Sequence, residues 1–205
     1  MFAVERIPQR VSTASPRFRT LVAMDVQELR PGLWRWTARH PEWDDREVSS
    51  AYLEAVDVVS LIDPLVPRGE EERFFAALDR DVERIGSPVA IVLTNPWHRR
   101  GADELAQRYG AKVFVGVEGG LPGGLKAYPG GMQPEDVVIH GPSHRVLFTG
   151  DTVVDGGLCP EDWLAEGREH QVACLRSVLD LDADLVVPSH GPPFPLEQLA
   201  TALHH

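Results

Sequence analysis

The chain has 205 residues and a mass of 22.7 kDa, which suits one compact domain better than two. Its 43% hydrophobic residues can bury a substantial core, which argues against global disorder. Thirty-one acidic against twenty basic residues give a net charge of −11, which argues against a nucleic-acid-binding surface or a polybasic membrane anchor. No apolar run approaches the roughly 20 residues of a membrane span, and the two cysteines are too few for a disulfide framework. We therefore expect a cytoplasmic protein.

Residues 1–23 differ in composition from the rest of the chain. They carry four arginines against one glutamate, are rich in serine and threonine, and show no sustained helical or strand period. The segment superficially resembles a targeting peptide. We favour a flexible N-terminal extension, followed by a single domain over residues 24–205.

The hydrophobic pattern from residue 25 onward predicts short strands that later alternate with helices. The predicted elements are, in chain order, strands at 26–29, 33–38, 51–55 and 58–62, a helix over about 70–85, a strand at 90–94, a helix at 102–109, a strand at 112–117, a Gly- and Pro-rich passage at 119–134, a hairpin of strands 137–140 and 145–149, a helix over about 168–180, a strand at 185–188 and a short helix from Pro195. This order predicts mixed sheets covered by helices. In such folds, function lies in the loops that follow strand ends.

Three of these loops place polar residues directly after a buried strand. They are residues 94–101 (Thr-Asn-Pro-Trp-His-Arg-Arg-Gly), 149–152 (Thr-Gly-Asp-Thr) and 188–192 (Pro-Ser-His-Gly-Pro). Each is a tight polar turn, which is a common way to direct a side chain into a cleft. We therefore expect the three loops to line one site.

The order and spacing of these motifs resemble the metallo-β-lactamase-fold hydrolases. That family carries Thr-His-x-His-x-Asp-His-x-Gly-Gly after a buried strand, then Pro-Gly-His, a strand running into Thr-Gly-Asp, and a strand ending in Gly-His-Gly. Here the segment 149–151 matches the third motif, the segment 189–191 is similar to the last, and Asp63 is similar to an early strand-end aspartate. The resemblance covers residues 25–195 and implies an α/β fold, an αββα sandwich of two mixed sheets with helices outside.

The first loop departs from the family pattern at its metal-ligand positions. When the motif is aligned on Thr94, the first two histidines fall on Asn95 and Trp97, and the Asp-His pair falls on Arg99 and Arg100. The family's Pro-Gly-His becomes 129–131, Pro-Gly-Gly.

Among the ligands that the resemblance implies for two metal ions, only Asp151 and His190 remain. A catalytic zinc site needs about three protein ligands and an open position, and arginines beside it would repel a dication. We therefore expect no metal cofactor.

Two functions follow from this reading. The first is a hydrolase-like protein with a degenerate metal site, working as a small-molecule-binding pseudo-enzyme. The second is an active hydrolase of an ester, thioester, lactam or phosphoester, with zinc or another divalent metal in a shifted site of Asp151, His190 and the substitute ligand His98. Two further substitutes are His140 and His144.

The candidate cleft residues are Asn95, Trp97, His98, Arg99, Arg100, Asp151 and His190. Without metal, Asp151 would be an uncompensated carboxylate, so we expect Arg99 or Arg100 to pair with it, with His190 nearby. The alternative is that both arginines point into solvent. A remaining cation would favour an anionic ligand such as a carboxylate or a phosphate. The expected partner is thus a small molecule. The sequence does not indicate which oligomeric state the protein adopts.

Overall fold

The computed structural model describes residues 24–41, 46–116 and 119–204. The N-terminal extension predicted for residues 1–23 lies outside the described residues. None of the helices in the described ranges is long and apolar enough to cross a bilayer.

The first sheet has six strands whose spatial order is their order in the chain. They are β1 (Asp25–Arg30), β2 (Leu33–Arg39), β3 (Glu47–Glu54), β4 (Val59–Ile62), β5 (Val89–Leu93) and β6 (Lys112–Val115). Neighbours from β1 to β4 are antiparallel, whereas β4, β5 and β6 are parallel. Parallel neighbours need a crossover, and the two crossovers carry α1 (Glu71–Ile85) and α2 (Ala102–Tyr109).

The second sheet is formed by the C-terminal half of the described chain. Its strands are β7 (Gly119–Gly120), β8 (Lys126–Pro129), β9 (Val137–Gly141), β10 (Val146–Val154), β11 (Gly157–Leu158), β12 (Leu185–His190) and β13 (Phe194–Pro195). The path runs β13-β12-β10-β9-β8-β7, and β11 pairs with β10. Strands β10 and β12 are parallel, with α3 (Arg168–Arg176) between them in the chain, and α4 (Leu196–Ala202) comes last.

Three buried apolar clusters define the layers. The central cluster joins the inner faces of the two sheets, with Leu53 and Ile62 from one and Ile139 and Phe148 from the other. A second cluster packs the outer face of the first sheet against α1 and α2, and a third packs the outer face of the second sheet against α3 and α4. The architecture is therefore the predicted αββα sandwich of two mixed sheets.

The predicted elements are confirmed, with several differences, among them β10, which runs to Val154, and the short strands β11 and β13, which were not predicted. The passage predicted only as Gly- and Pro-rich contains β7 and β8, because β9 offers β8 an antiparallel partner. Strand β3 begins at Glu47, before the predicted start, and β12 continues to His190. Helix α3 ends at Arg176, and residues 177–179 continue as tighter turns in which each amide bonds three residues back.

Candidate functional site

The site begins where the parallel strands β4 and β5 end. Asp63 is 3% exposed, and its carboxylate accepts hydrogen bonds from the amide of Thr94 at 2.8 Å and from its Oγ1 at 2.6 Å. Ser50 Oγ donates to the Asp63 carbonyl at 2.8 Å. These bonds fix the start of the 94–101 loop against the first sheet.

The 94–101 loop opens with a capped 3₁₀ turn over Pro96–Arg99. Asn95 is its N-cap, with the side-chain oxygen accepting from the His98 amide at 3.0 Å. Pro96 supplies the fixed φ of the first turn position. The tight turn directs His98 inward, where it is 2% exposed, and leaves Trp97 60% exposed.

His98 lies between two carboxylates. Its Nδ1 is 2.9 Å from Asp63 Oδ2 and 3.0 Å from Thr94 Oγ1, and its Nε2 is 3.1 Å from Asp151 Oδ1. The same Asp151 oxygen is 3.3 Å from His190 Nε2. The structure thus joins His98, Asp151 and His190, three of the predicted cleft residues.

The charges of this cluster support one another. Burial alone would lower the pKa of His98, but Asp63 and Asp151 outweigh it and raise that pKa to about 9. Burial would likewise raise the pKa of Asp63 and of Asp151, yet His98 holds both well below their usual range. His98 is therefore an imidazolium at neutral pH that donates from both ring nitrogens to carboxylates.

Gly150 allows β10 to approach the 94–101 loop closely enough for Asp151 to reach His98. Its φ is +55°, and a Cβ at this position would lie 2.4 Å from Thr94 Oγ1. The glycine of the Thr-Gly-Asp motif is therefore required for steric reasons, because any larger residue would push Thr94 away from β10.

The expected pairing of an arginine with Asp151 was wrong. Arg99 points into solvent and binds Asp103 through two hydrogen bonds of 2.9 and 2.7 Å. Among the described residues, Arg100 makes no ion pair with Asp151 within 4.0 Å. The turn geometry explains this outcome, since His98 occupies the inward position and pairs with Asp151 in place of an arginine.

Arg100 nevertheless lies beside the site in an unusual conformation. Its φ of 27° and ψ of −109° fall outside the favoured regions, and such backbone costs about 1–3 kcal/mol. The residue is half-buried, and its Nη1 is buried with no hydrogen-bond partner in the described chain. Burial lowers the pKa of Arg100, while Asp63 and Asp151 oppose that decrease.

The structure places the two further histidines away from the site. His140 pairs in register with Leu147, near the start of β10, and its Nε2 is 3.1 Å from the Asp182 carbonyl. His144 Nε2 is 3.1 Å from the Pro31 carbonyl. Neither can substitute for a ligand at Asp151.

Sequence reasoning missed Arg35, which supports the His190 loop. Arg35 is buried in β2, and donates to Ser49 Oγ at 3.0 Å and to the Gly191 carbonyl at 3.1 Å. A signal was present, because Arg35 has the same strand phase as the inward-facing Leu33.

Sequence reasoning also missed Asp136, a buried carboxyl at the start of β9. Its Oδ2 accepts from the Gln133 amide at 2.8 Å, whereas Oδ1 is buried with no partner among the described residues. Burial raises the pKa of Asp136 to about 7 against that hydrogen bond, and the Asp151 charge adds to the rise.

This carboxyl makes stability depend on pH. Its folded-state pKa exceeds the unfolded value, so the folded protein binds more protons between about pH 4 and 7, and stability falls across that range. We expect the free energy of unfolding of Asp136→Asn, taken relative to that of wild type, to increase by roughly 2–3 kcal/mol from pH 5 to pH 8. Urea unfolding of both proteins at the two pH values measures this gain. An equal difference at both values would show that Asp136 is ionised throughout.

A small cavity lies behind the site, between the two sheets. Asp63, Ile62, Phe148 and Ser189 are among its lining residues, and its volume of about 10 Å³ is that of a single water molecule. This cavity is too small for a larger molecule, and among the side chains of the cluster Asp151 is the most exposed, at 16%.

The comparisons with known proteins agree with this architecture. The family model of the metallo-beta-lactamase superfamily matches residues 67–190, and the chain belongs to that superfamily. A search of curated protein sequences gave no match.

Solved metallo-β-lactamase structures share the fold at low sequence identity. The enzyme from Hirschia baltica is 18% identical with a TM-score of 0.64, over 88% of this chain and 96% of that one. The enzyme from Pontibacter korlensis is 19% identical with a TM-score of 0.55, over 89% and 99%. DIM-1 metallo-β-lactamase, in a structure exposed to ceftazidime, is 16% identical with a TM-score of 0.61, over 88% and 96%. At these identities the likeness establishes the fold alone.

The residues present do not fit the metal ions that the family resemblance implies. An imidazolium that donates from both nitrogens has no lone pair for a metal, so His98 is not a ligand in this arrangement. A side chain at Gly131 would collide with α3, because its Cβ would lie 2.7 Å from Gln171 Cα. Within residues 24–41, 46–116 and 119–204, no three His, Cys, Asp or Glu side chains are placed to hold a metal.

Proposed function

We propose that this protein is a metallo-β-lactamase-fold pseudo-enzyme that binds a small molecule without the family's metal ions. The observation that carries the proposal is His98, held by Asp63 on one ring nitrogen and by Asp151 on the other. This arrangement supplies a positive charge from the chain itself, so the two buried carboxylates are compensated without a dication.

The surroundings of the cluster support a binding role. Asp151 and His190 reach the solvent side of the site, and Arg100 stands beside them with an unpartnered donor. In small-molecule sites a few convergent polar groups fix the orientation of the ligand and provide specificity. The proposal includes no metal ion, which in a metal-dependent hydrolase would activate the water.

Metal analysis of the purified protein tests the proposal. Protein prepared without chelator or added metal is expected to contain far less than one equivalent of zinc, iron or manganese, because Asp151 and His190 alone make a weak site. Its melting temperature is expected to be unchanged after dialysis against EDTA.

Stoichiometric metal would contradict this expectation. If that metal were lost in Asp151→Ala and in His190→Ala, the protein would instead be a metal-dependent hydrolase with a shifted site. An Asp103→Ala variant serves as the control, because it removes an exposed carboxylate from the same loop region.

A further inference from the structure

We infer that Arg100 recognises the acidic group of the ligand and that this group is a carboxylate. The inference rests on the proposed function, since it needs a site that accepts a small molecule without metal. It goes beyond that proposal by assigning one residue and one chemical class.

The carboxylates near Arg100 are already engaged by other residues. Asp63 accepts from Thr94 and pairs with His98, and Asp151 pairs with His98 and His190. Both are close enough to oppose the lowering of the Arg100 pKa, yet neither forms an ion pair with Arg100 within 4.0 Å. Arg100 therefore retains donors that the described part of the protein does not use.

Leaving those donors without hydrogen bonds costs free energy. A guanidinium has five N–H donors in a planar fork, and Nη1 of Arg100 is buried with no partner among the described residues. A buried polar group without a partner loses its hydration and gains nothing in return. A ligand oxygen that accepts a hydrogen bond from Nη1 would recover this loss.

The backbone of Arg100 shows that the fold imposes this position on the side chain. The next residue, Gly101, donates its amide to the Pro64 carbonyl at 3.0 Å, which anchors the chain just after Arg100. Arg100 takes the strained φ of 27° that this anchor requires. Strained non-glycine residues concentrate at ligand and active sites, whereas the neighbouring Arg99 is exposed and paired with Asp103.

The charge balance of the site favours a carboxylate over a phosphate. Asp63 and Asp151 are offset by His98 and Arg100, so the four groups together are close to neutral. A planar, singly charged carboxylate matches the guanidinium fork through two parallel bonds. A phosphate dianion would bring a second negative charge toward Asp151.

Titration with benzoate and with its neutral isostere benzamide tests the inference, using calorimetry or NMR chemical shifts. Wild type is expected to bind benzoate at least about tenfold more tightly than benzamide, since only benzoate offers the charge-assisted pair. Arg100→Met is expected to bind benzoate no better than benzamide. Arg99→Met, the matched control with the same loss of charge one residue away, is expected to keep wild-type affinity within about twofold.

Arg100→Lys covers the case in which Arg100→Met fails to fold, as judged by its melting curve. It keeps the charge without the planar fork, and we expect it to weaken benzoate binding about fivefold or more. Equal losses in the Arg99 and Arg100 variants would overturn the inference, because they would indicate a general field effect. Tighter binding of inorganic phosphate than of benzoate would overturn the assignment of a carboxylate. Metal content measured on the same preparations tests the proposed function separately. Stoichiometric metal would contradict the proposed function whether or not benzoate binds.

Discussion

Replacing His98 with leucine is expected to lower the free energy of unfolding by about 3 kcal/mol or more. The substitution removes the imidazolium that lies between Asp63 and Asp151 and leaves two largely buried carboxylates without their charge partner. Removing one partner of a buried pair costs about 3–5 kcal/mol, mainly because of the charge left behind. Urea unfolding monitored by tryptophan fluorescence measures the loss. His170→Leu, at an exposed histidine on α3, is the control and should change stability by about 0.5 kcal/mol or less.

The contribution of His98 also has a defined pH dependence. Its folded-state pKa of about 9 lies above the ordinary value of 6.5, so its stabilisation is fully present below pH 6.5 and is lost as the pH rises through 9. The difference in the free energy of unfolding between wild type and His98→Leu should therefore become smaller from pH 6.5 to pH 10. The double variant His98→Leu/Asp151→Leu should lose less than the sum of the single losses. A constant gap together with additive losses would mean that the three groups are not coupled.

Gly131→Ala is expected to lower the free energy of unfolding by about 3 kcal/mol, as the sum of a backbone and a packing cost. The φ of +79° costs a non-glycine residue about 1–2 kcal/mol. The new Cβ would also lie 2.7 Å from Gln171 Cα, and forcing a core apart costs about 1–3 kcal/mol. Helix α3 cannot easily retreat, because Gln171 donates to the Thr152 carbonyl at 2.9 Å and to Cys159 Sγ at 3.0 Å.

Gly86→Ala is the matched control for this prediction. Gly86 has a similar φ of +70° but nothing within 4 Å of a Cβ, so this variant should show the backbone cost alone. Gly131→His, which restores the residue type of the family motif, is expected to destabilise at least as much as Gly131→Ala and to bind no additional zinc. Equal costs for the two alanine variants, measured by urea unfolding, would mean that α3 yields and that this position can carry a ligand.

Much of the fold and the convergence of the loops could be predicted from sequence. The apolar runs before Thr94 and Asp151 are buried strands, and β4/β5 and β10/β12 are parallel pairs whose ends meet. Parallel strand ends collect at one edge of a sheet, so a polar residue after each run is placed near the others by topology alone. That rule brought His98, Asp151 and His190 together.

The roles of individual side chains could not be predicted in the same way. A shift of one residue within the 3₁₀ turn decides whether His98 or Arg99 faces inward, and the Asn95 cap sets this shift through atomic contacts. Asp136 and Arg35 belong to the site through partners that lie elsewhere in the chain or through burial itself. Local patterns do not contain that information.

The position of His98 determines how the charges of Asp63 and Asp151 are compensated in the folded protein. A bound metal ion has to be acquired from the surroundings and can be removed by chelators. A charge carried by an imidazole of the chain is synthesised with the protein and is present at full occupancy in every molecule below its pKa. In the metal-free protein that we propose, the cluster of Asp63, His98 and Asp151 would make the stability of this site independent of metal supply and sensitive to alkaline conditions instead.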